Sequence, residues 1–395
     1  MTLKTSQRVA KVKPSATIAV SMKAAELRAA GRDILSLSMG EPDFDTPAHI
    51  GQAAVRAITE GQTRYTAVDG TAALKQAVQK KFQRDHQIDY EANQILVSSG
   101  AKQCIYNLLA ALLDEGDEVI IPAPYWVSYP DMVRLVDGEP VIINTNAAGN
   151  FKITAEQLRA ALTAKTRLLI LNSPSNPSGK AYTRAEYAAL GAVLADYPQV
   201  IITSDEIYEH IYWGDEPFAS FVSACPQLKQ RTVIVNGVSK AYAMTGWRIG
   251  YAAGDAALIK EMRKVQSQTT SNPCSISQAA AAAALDGDQD CVRQMNQDFK
   301  ERHDYFVAAL NKLPGVDCLP GDGAFYAFPS FQQVIDERDD LNNDIELANW
   351  LLETVGVATV PGSAFGVPGH LRLSYAAGMD TLREAIQRLH QALTT

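Results

Sequence analysis

The sequence predicts an α/β fold, a mostly parallel central sheet with helices on both faces, joined to a smaller α+β domain. Three observations predict it. Strand-like apolar runs alternate with helical patterns up to about residue 287. Several runs, such as residues 232–235, are apolar without alternation, as strands buried on both faces require. From about Asp288 the rhythm changes to a long charged amphipathic pattern followed by mixed strands and a helix.

Residues 95–98 form the first expected strand and lead into a helix over about 102–113. Further strands are expected at 118–121, 141–143, 168–171, 200–203 and 232–235, with helices at 155–162 and 184–195 between them. The apolar stretch 279–285 is too short to span a bilayer and reads as a buried helical segment. Beyond it come a helix over 292–313, a strand-rich stretch 317–328, a helix over 344–355 and a strand at 371–375. The expected division is 1–46 as an N-terminal arm with part of the small domain, 47–287 as the large domain and 288–395 as the C-terminal small domain.

At 395 residues the chain is long enough for about two domains with real cores. Its 47% hydrophobic and 20% charged residues fit a globular protein, and a net charge of −8 argues against nucleic acid as the main partner. Residues 1–20 spread Lys4, Arg8, Lys11 and Lys13 through polar sequence without the apolar core of a signal peptide, so the cytoplasm is expected and no membrane. The five cysteines are odd in number and lack metal-type spacing, so reduced thiols and no metal are expected.

Four strand-to-turn segments carry candidate chemistry. Lys240 follows the strand 232–235, with Arg248 eight residues on. It is either a solvated surface charge or an amine in a low-dielectric cleft, where a lowered pKa makes it a nucleophile for imine formation and Arg248 holds a phosphate. Asp205 ends the strand 200–203, and is either a helix N-cap or a carboxylate that keeps a heteroaromatic nitrogen protonated. Tyr208 is either a satisfied buried tyrosine or a contact to a ring oxygen. In Asn172-Ser173-Pro174-Ser175-Asn176-Pro177-Ser178-Gly179, two prolines flank Asn176 in either a plain rigid turn or a loop that aims a donor at a ligand. Ser98-Ser99-Gly100-Ala101-Lys102 opens a helix as a phosphate cup does, and Tyr125-Trp126 follows the next strand.

Together the four segments resemble the fold-type I pyridoxal-phosphate enzymes, and within them the class I aminotransferases, over nearly the whole chain. Lys13-Pro14-Ser15-Ala16-Thr17, Gly40-Glu41-Pro42-Asp43-Phe44-Asp45-Thr46-Pro47, Pro124-Tyr125-Trp126-Val127-Ser128-Tyr129-Pro130, Ser204-Asp205-Glu206-Ile207-Tyr208 and Ala243-Met244-Thr245-Gly246-Trp247-Arg248 are similar to the bacterial Ib-type aspartate aminotransferases.

The resemblance implies a homodimer that uses pyridoxal 5′-phosphate to exchange amino groups between amino acids and 2-oxo acids, aspartate and 2-oxoglutarate first among them. It implies that Lys240 binds the cofactor as an imine and acts as the general base, Asp205 pairs with the pyridine nitrogen, and Tyr208 and Asn176 contact the ring O3′. Trp126 stacks on the ring. Arg248 grips the phosphate with the amides of Gly100, Ala101 and Lys102, and Tyr65 reaches the phosphate in the partner subunit. Arg372 forks onto the substrate α-carboxylate beside Asn176 and the Gly40 backbone. Lys102, Ser15 and Thr17 face the distal carboxylate, and Lys13 matches a position linked in some relatives to prephenate. Aromatic or other amino acids remain alternative substrates, and a pyridoxal-phosphate lyase or a non-catalytic regulator are the remaining readings. Two departures stand out: Gly237 where many relatives carry a phosphate-binding serine, for which Ser239 is the expected substitute, and Ser178 where threonine is commoner.

Overall fold

The computed structural model describes residues 4–394. Its central sheet has seven strands: β1 (Ile95–Ser98), β2 (Glu118–Ala123), β3 (Glu139–Asn144), β4 (Thr166–Asn172), β5 (Ile201–Asp205), β6 (Thr232–Gly237) and β7 (Gly250–Ala253). They lie in the order β1-β7-β6-β5-β4-β2-β3, and β7 alone runs antiparallel to its neighbours. The expected parallel sheet is therefore present with one added strand.

Successive residues of these strands enter different cores, which is why the runs read as unbroken apolar sequence. Leu96, Val119, Ile121, Val233 and Val235 pack against the helix Ala101–Leu112 on one face. Val97, Ile234 and Tyr251 face the helices Ala72–His86 and Ser275–Asp286 on the other. Ile120, Leu169 and Ile202 meet the helix Arg184–Ala195 on that side. The strand β7 has no β-branched run and does not announce itself. Its glycine matters because a Cβ on Gly250 would lie 2.2 Å from the Ala101 backbone nitrogen.

Beyond residue 287 the helices Asp290–Leu310, Asp344–Val355 and Met379–Thr394 surround a three-stranded antiparallel sheet. Its strands are β8 (Tyr326–Ala327), β9 (Val360–Pro361) and β10 (Leu371–Ser374), in the order β9-β10-β8. The stretch 317–328, expected to be rich in strand, holds β8 and two isolated bridges, Asp317 with Ser330 and Gly323 with Tyr212. Pro320, Gly321 and Gly323 turn the chain there, and Asp322 ties it to Lys180 at 2.7 Å. The N-terminal arm joins this part, since Leu35–Ser36 pairs in parallel with Val357–Ala358. Among the described residues no helix is long and apolar enough to cross a membrane.

Candidate active site

The carboxyl ends of β2, β4, β5 and β6 open onto one cavity of about 520 Å³, the place where an open α/β sheet binds ligands. Lys240, three residues past β6, lines it and donates from Nζ to the Gly40 carbonyl at 2.6 Å. Burial first, then the positive charges of Arg248 and Arg372, lowers its pKa to about 8.

Asp205 ends β5 in the same cavity and is 5% exposed. Burial raises its carboxyl to about 6, although it accepts bonds from the Tyr129 hydroxyl at 2.6 Å and the Ile207 amide at 3.3 Å. Such an acid sits ready for a cationic partner. No helix follows Asp205, so the N-cap reading falls away.

Tyr208 emerges from the turn after Asp205 and pairs its hydroxyl with that of Tyr326 at 2.9 Å. Asn176 is fixed by its backbone amide, which donates to Asn172 Oδ1 at 2.8 Å. Its own Oδ1 accepts from Arg372 Nη1 at 3.0 Å. Arg372 projects from β10 on the face shared with Tyr326, since Ser374 is the register partner of Tyr326. Its Nη2 donates to the Ser38 carbonyl at 2.6 Å, while its buried Nε has no partner among the described residues. The guanidinium stacks 4.5 Å from the Tyr326 ring.

Gly100 caps the helix Ala101–Leu112 with a φ of 91°. A Cβ there would lie 2.3 Å from Arg248 Nη2, so only glycine lets the guanidinium reach the helix N-terminus. Arg248, itself left-handed at φ 55°, is held by bonds to the Thr245 and Ser99 carbonyls. The result is a cradle of one guanidinium and the first helical amides, of Ala101 and Lys102, suited to a phosphate, whereas the Gly100 amide, also expected to contribute, is spent on the Ser98 carbonyl at 2.7 Å. At Gly237 a Cβ would come within 2.9 Å of the Ile249 carbonyl, so a serine does not fit there. Ser239 does line the cavity.

Trp126 and Lys102 stand at the other wall, with Lys102 Nζ 4.8 Å from the Trp126 ring. Burial first, then Arg248, lowers the Lys102 pKa. Ser15 and Thr17 complete this side. Lys13 instead lines a neighbouring cleft of about 500 Å³ that shares Ser15 and Val127 with the first. Tyr65 lies outside the cavity and is 93% exposed.

Sequence reasoning left Tyr129, Asn172 and Tyr326 without roles. Tyr129 and Asn172 lie inside segments already singled out; Asn172 ends β4, which was the available signal, while Tyr129 sits in the first turn of the helix Ser128–Leu135. Tyr326 carries no such signal.

A family model described as aminotransferase class I and II matches residues 32–389. The chain belongs to that family. This aminotransferase is 53% identical over 397 residues to the aspartate/prephenate aminotransferase of Nitrosomonas europaea, covering 99% of this chain and 100% of that one. It is 49% identical to the aspartate aminotransferase of Geobacillus stearothermophilus, covering 98% of each. Among solved structures, the aspartate aminotransferase of Rhizobium meliloti superposes with a TM-score of 0.96 at 46% identity, covering 100% of this chain and 99% of that one. The Thermus thermophilus aspartate aminotransferase with maleate gives 0.92 at 40%, covering 99% and 100%. The aminotransferase thus has the fold-type I architecture expected of it.

Proposed function

We propose that this aminotransferase moves the amino group of L-aspartate to 2-oxoglutarate, forming oxaloacetate and L-glutamate in a ping-pong cycle with pyridoxal 5′-phosphate. The observation that carries the reading is the convergence of Lys240, Asp205, Arg248 and Arg372 on one cavity. The donor set fits the cofactor. An amine of lowered pKa suits an aldehyde, a raised carboxyl without a cation suits a pyridine nitrogen, and the Gly100–Arg248 cradle suits a phosphate.

When bound, the cofactor supplies an electrophilic carbon and a protonated ring that accepts the electrons of a broken Cα–H bond. Asp205 would hold the proton on the ring nitrogen, with Tyr129 keeping that carboxylate in place. Trp126 would cover the ring face, and Tyr208 and Asn176 would meet its phenolic oxygen. Arg372 would present its fork to the substrate α-carboxylate. Lys240 Nζ, held near Gly40, takes the Cα proton as general base.

Lys102, with Ser15 and Thr17, is the proposed partner of the distal carboxylate. The names of the relatives, and the dicarboxylate maleate in the Thermus structure, support that choice. Ile18 and Met39 put an apolar surface in the same cavity, which favours a second reading in which bulkier oxo acids such as prephenate are also used, with Lys13 in the adjoining cleft. We also propose a homodimer in which Tyr65 serves the partner's site, a cytoplasmic location, and the domain division 1–46, 47–287 and 288–395. The exposed Val55, Ile58 and Tyr65 support the dimer.

Absorbance titration of the cofactor-loaded protein with aspartate, glutamate, alanine and phenylalanine tests the reading. Aspartate and glutamate should convert the bound cofactor at the lowest concentrations. An inert aspartate half-reaction removes the substrate assignment, and a cofactor band that survives in Lys240→Ala as a covalent adduct removes the central one.

A further inference from the structure

We propose that Glu209 is a positioning residue that sets the spacing between the Asp205–Tyr208 turn and the loop that carries Lys240. It does not touch the cavity. It is 5% exposed and bound by Lys81, whose side chain is fully buried, and by His86. Its Oε1 also accepts from Asn236 Nδ2 at 2.8 Å, and Asn236 Oδ1 in turn accepts the Gly237 amide at 2.7 Å.

The backbone explains why such a tie matters. β5 and β6 pair in register up to Asp205 and Val235, and the Glu206 amide still bonds the Val235 carbonyl at 2.9 Å. The chain then turns away from β6, so Tyr208 and Lys240 project from segments whose direct ladder has ended. The Glu209–Asn236 bond continues the connection across that gap, and Lys81 fixes Glu209 to the helix Ala72–His86.

An ion pair this deep rarely adds stability over apolar packing, but it does impose direction. Lys81 already supplies the cation at Glu209, so the nearby acidic and histidine groups need no metal to balance them.

The inference rests on the proposed cofactor. A parent protein that does not bind pyridoxal phosphate overturns that reading first; a parent that binds it, with variants that match it, overturns this one alone. The test compares Lys81→Met/Glu209→Leu with Lys81→Met/Glu209→Gln, both free of buried charge at the pair. The leucine variant should unfold near the parental temperature, yet bind pyridoxal phosphate about tenfold more weakly, as expected for a small misplacement of reacting groups. Its kcat should fall while the KM for aspartate holds, because Arg372 is untouched. The glutamine variant keeps an acceptor for Asn236 and should restore affinity to within about threefold of the parent.

Asn236→Ala leaves the ion pair intact. Alone it should weaken cofactor binding, and in the leucine background it should weaken it by less, since the Glu209–Asn236 bond is already gone there and only the Gly237–Asn236 bond is left to lose. Equal affinities in the leucine and glutamine variants, or additive effects of Asn236→Ala, overturn the proposal. If the leucine variant does not fold, parental affinity in Asn236→Ala alone overturns it.

Discussion

The hydroxyl of Tyr326 lies 2.9 Å from that of Tyr208, joining a strand of the small sheet to the turn after β5. The same ring stacks on Arg372, and a Cβ on Gly40 would lie 2.8 Å from its hydroxyl. Tyr326 thus touches the groups proposed to hold substrate carboxylate, ring oxygen and resting lysine. Tyr326→Phe keeps the stacking and removes one hydrogen bond. Its kcat/KM for aspartate should fall by about 2- to 10-fold, the worth of one such bond. Steady-state kinetics check this, and a parental value shows that Tyr208 is oriented without Tyr326.

Asp205 gives a stability prediction with a definite sign. Its folded pKa of about 6 lies above the ordinary aspartate value of 3.8, because burial disfavours the charged form. The stability this contributes to the cofactor-free protein is complete below about pH 3.8 and is lost as pH rises through about 6. Relative to Asp205→Asn, the parent should lose about 2 kcal/mol between pH 4 and pH 7. Urea unfolding of the two cofactor-free proteins measures the difference. At pH 7 the cofactor should then stabilise the parent more than the variant, since a carboxylate pairs with a protonated ring nitrogen and an amide does not.

Gly100→Ala probes the phosphate cradle. The φ of 91° with ψ of 159°, a region essentially reserved for glycine, strains an alanine at a cost of about 1–3 kcal/mol. The added methyl also displaces Arg248, so cofactor affinity should fall by more than the loss in thermal stability accounts for. Paired calorimetric melting and cofactor titration separate the two effects, and a variant that melts lower while binding the cofactor normally removes the cradle assignment.

The site is legible in sequence where one residue ends an apolar run. Asp205 and Lys240 are of this kind, because a strand buried on both faces ends abruptly and leaves a charged group at the ligand-binding edge. Arg372 is reached through resemblance, because its stacking on Tyr326 and its bond to Asn176 link residues far apart in the chain. Tyr326 shares that difficulty and lies on a strand of two residues, too short for any period to show. The strand β7 is hidden for another reason. Its small residues answer to the close approach of the helix Ala101–Leu112, not to β propensity.

Lys102, the proposed partner of the distal carboxylate, gives a test of the preference for acidic substrates. Its ammonium sits 4.8 Å from the Trp126 ring, burial together with Arg248 lowers its pKa, and no carboxylate pairs with it among the described residues, so a dicarboxylic substrate would supply one. Lys102→Met keeps the length and loses the charge. A charge-assisted bond is worth about 1.5–3 kcal/mol, so kcat/KM for aspartate should fall by roughly 10- to 100-fold. Alanine has no distal carboxylate, and its slower reaction should change little. The measured quantity is therefore the ratio of the two rates. A ratio that falls in the variant places the distal carboxylate at Lys102, whereas equal losses on both substrates assign this lysine to the cofactor alone.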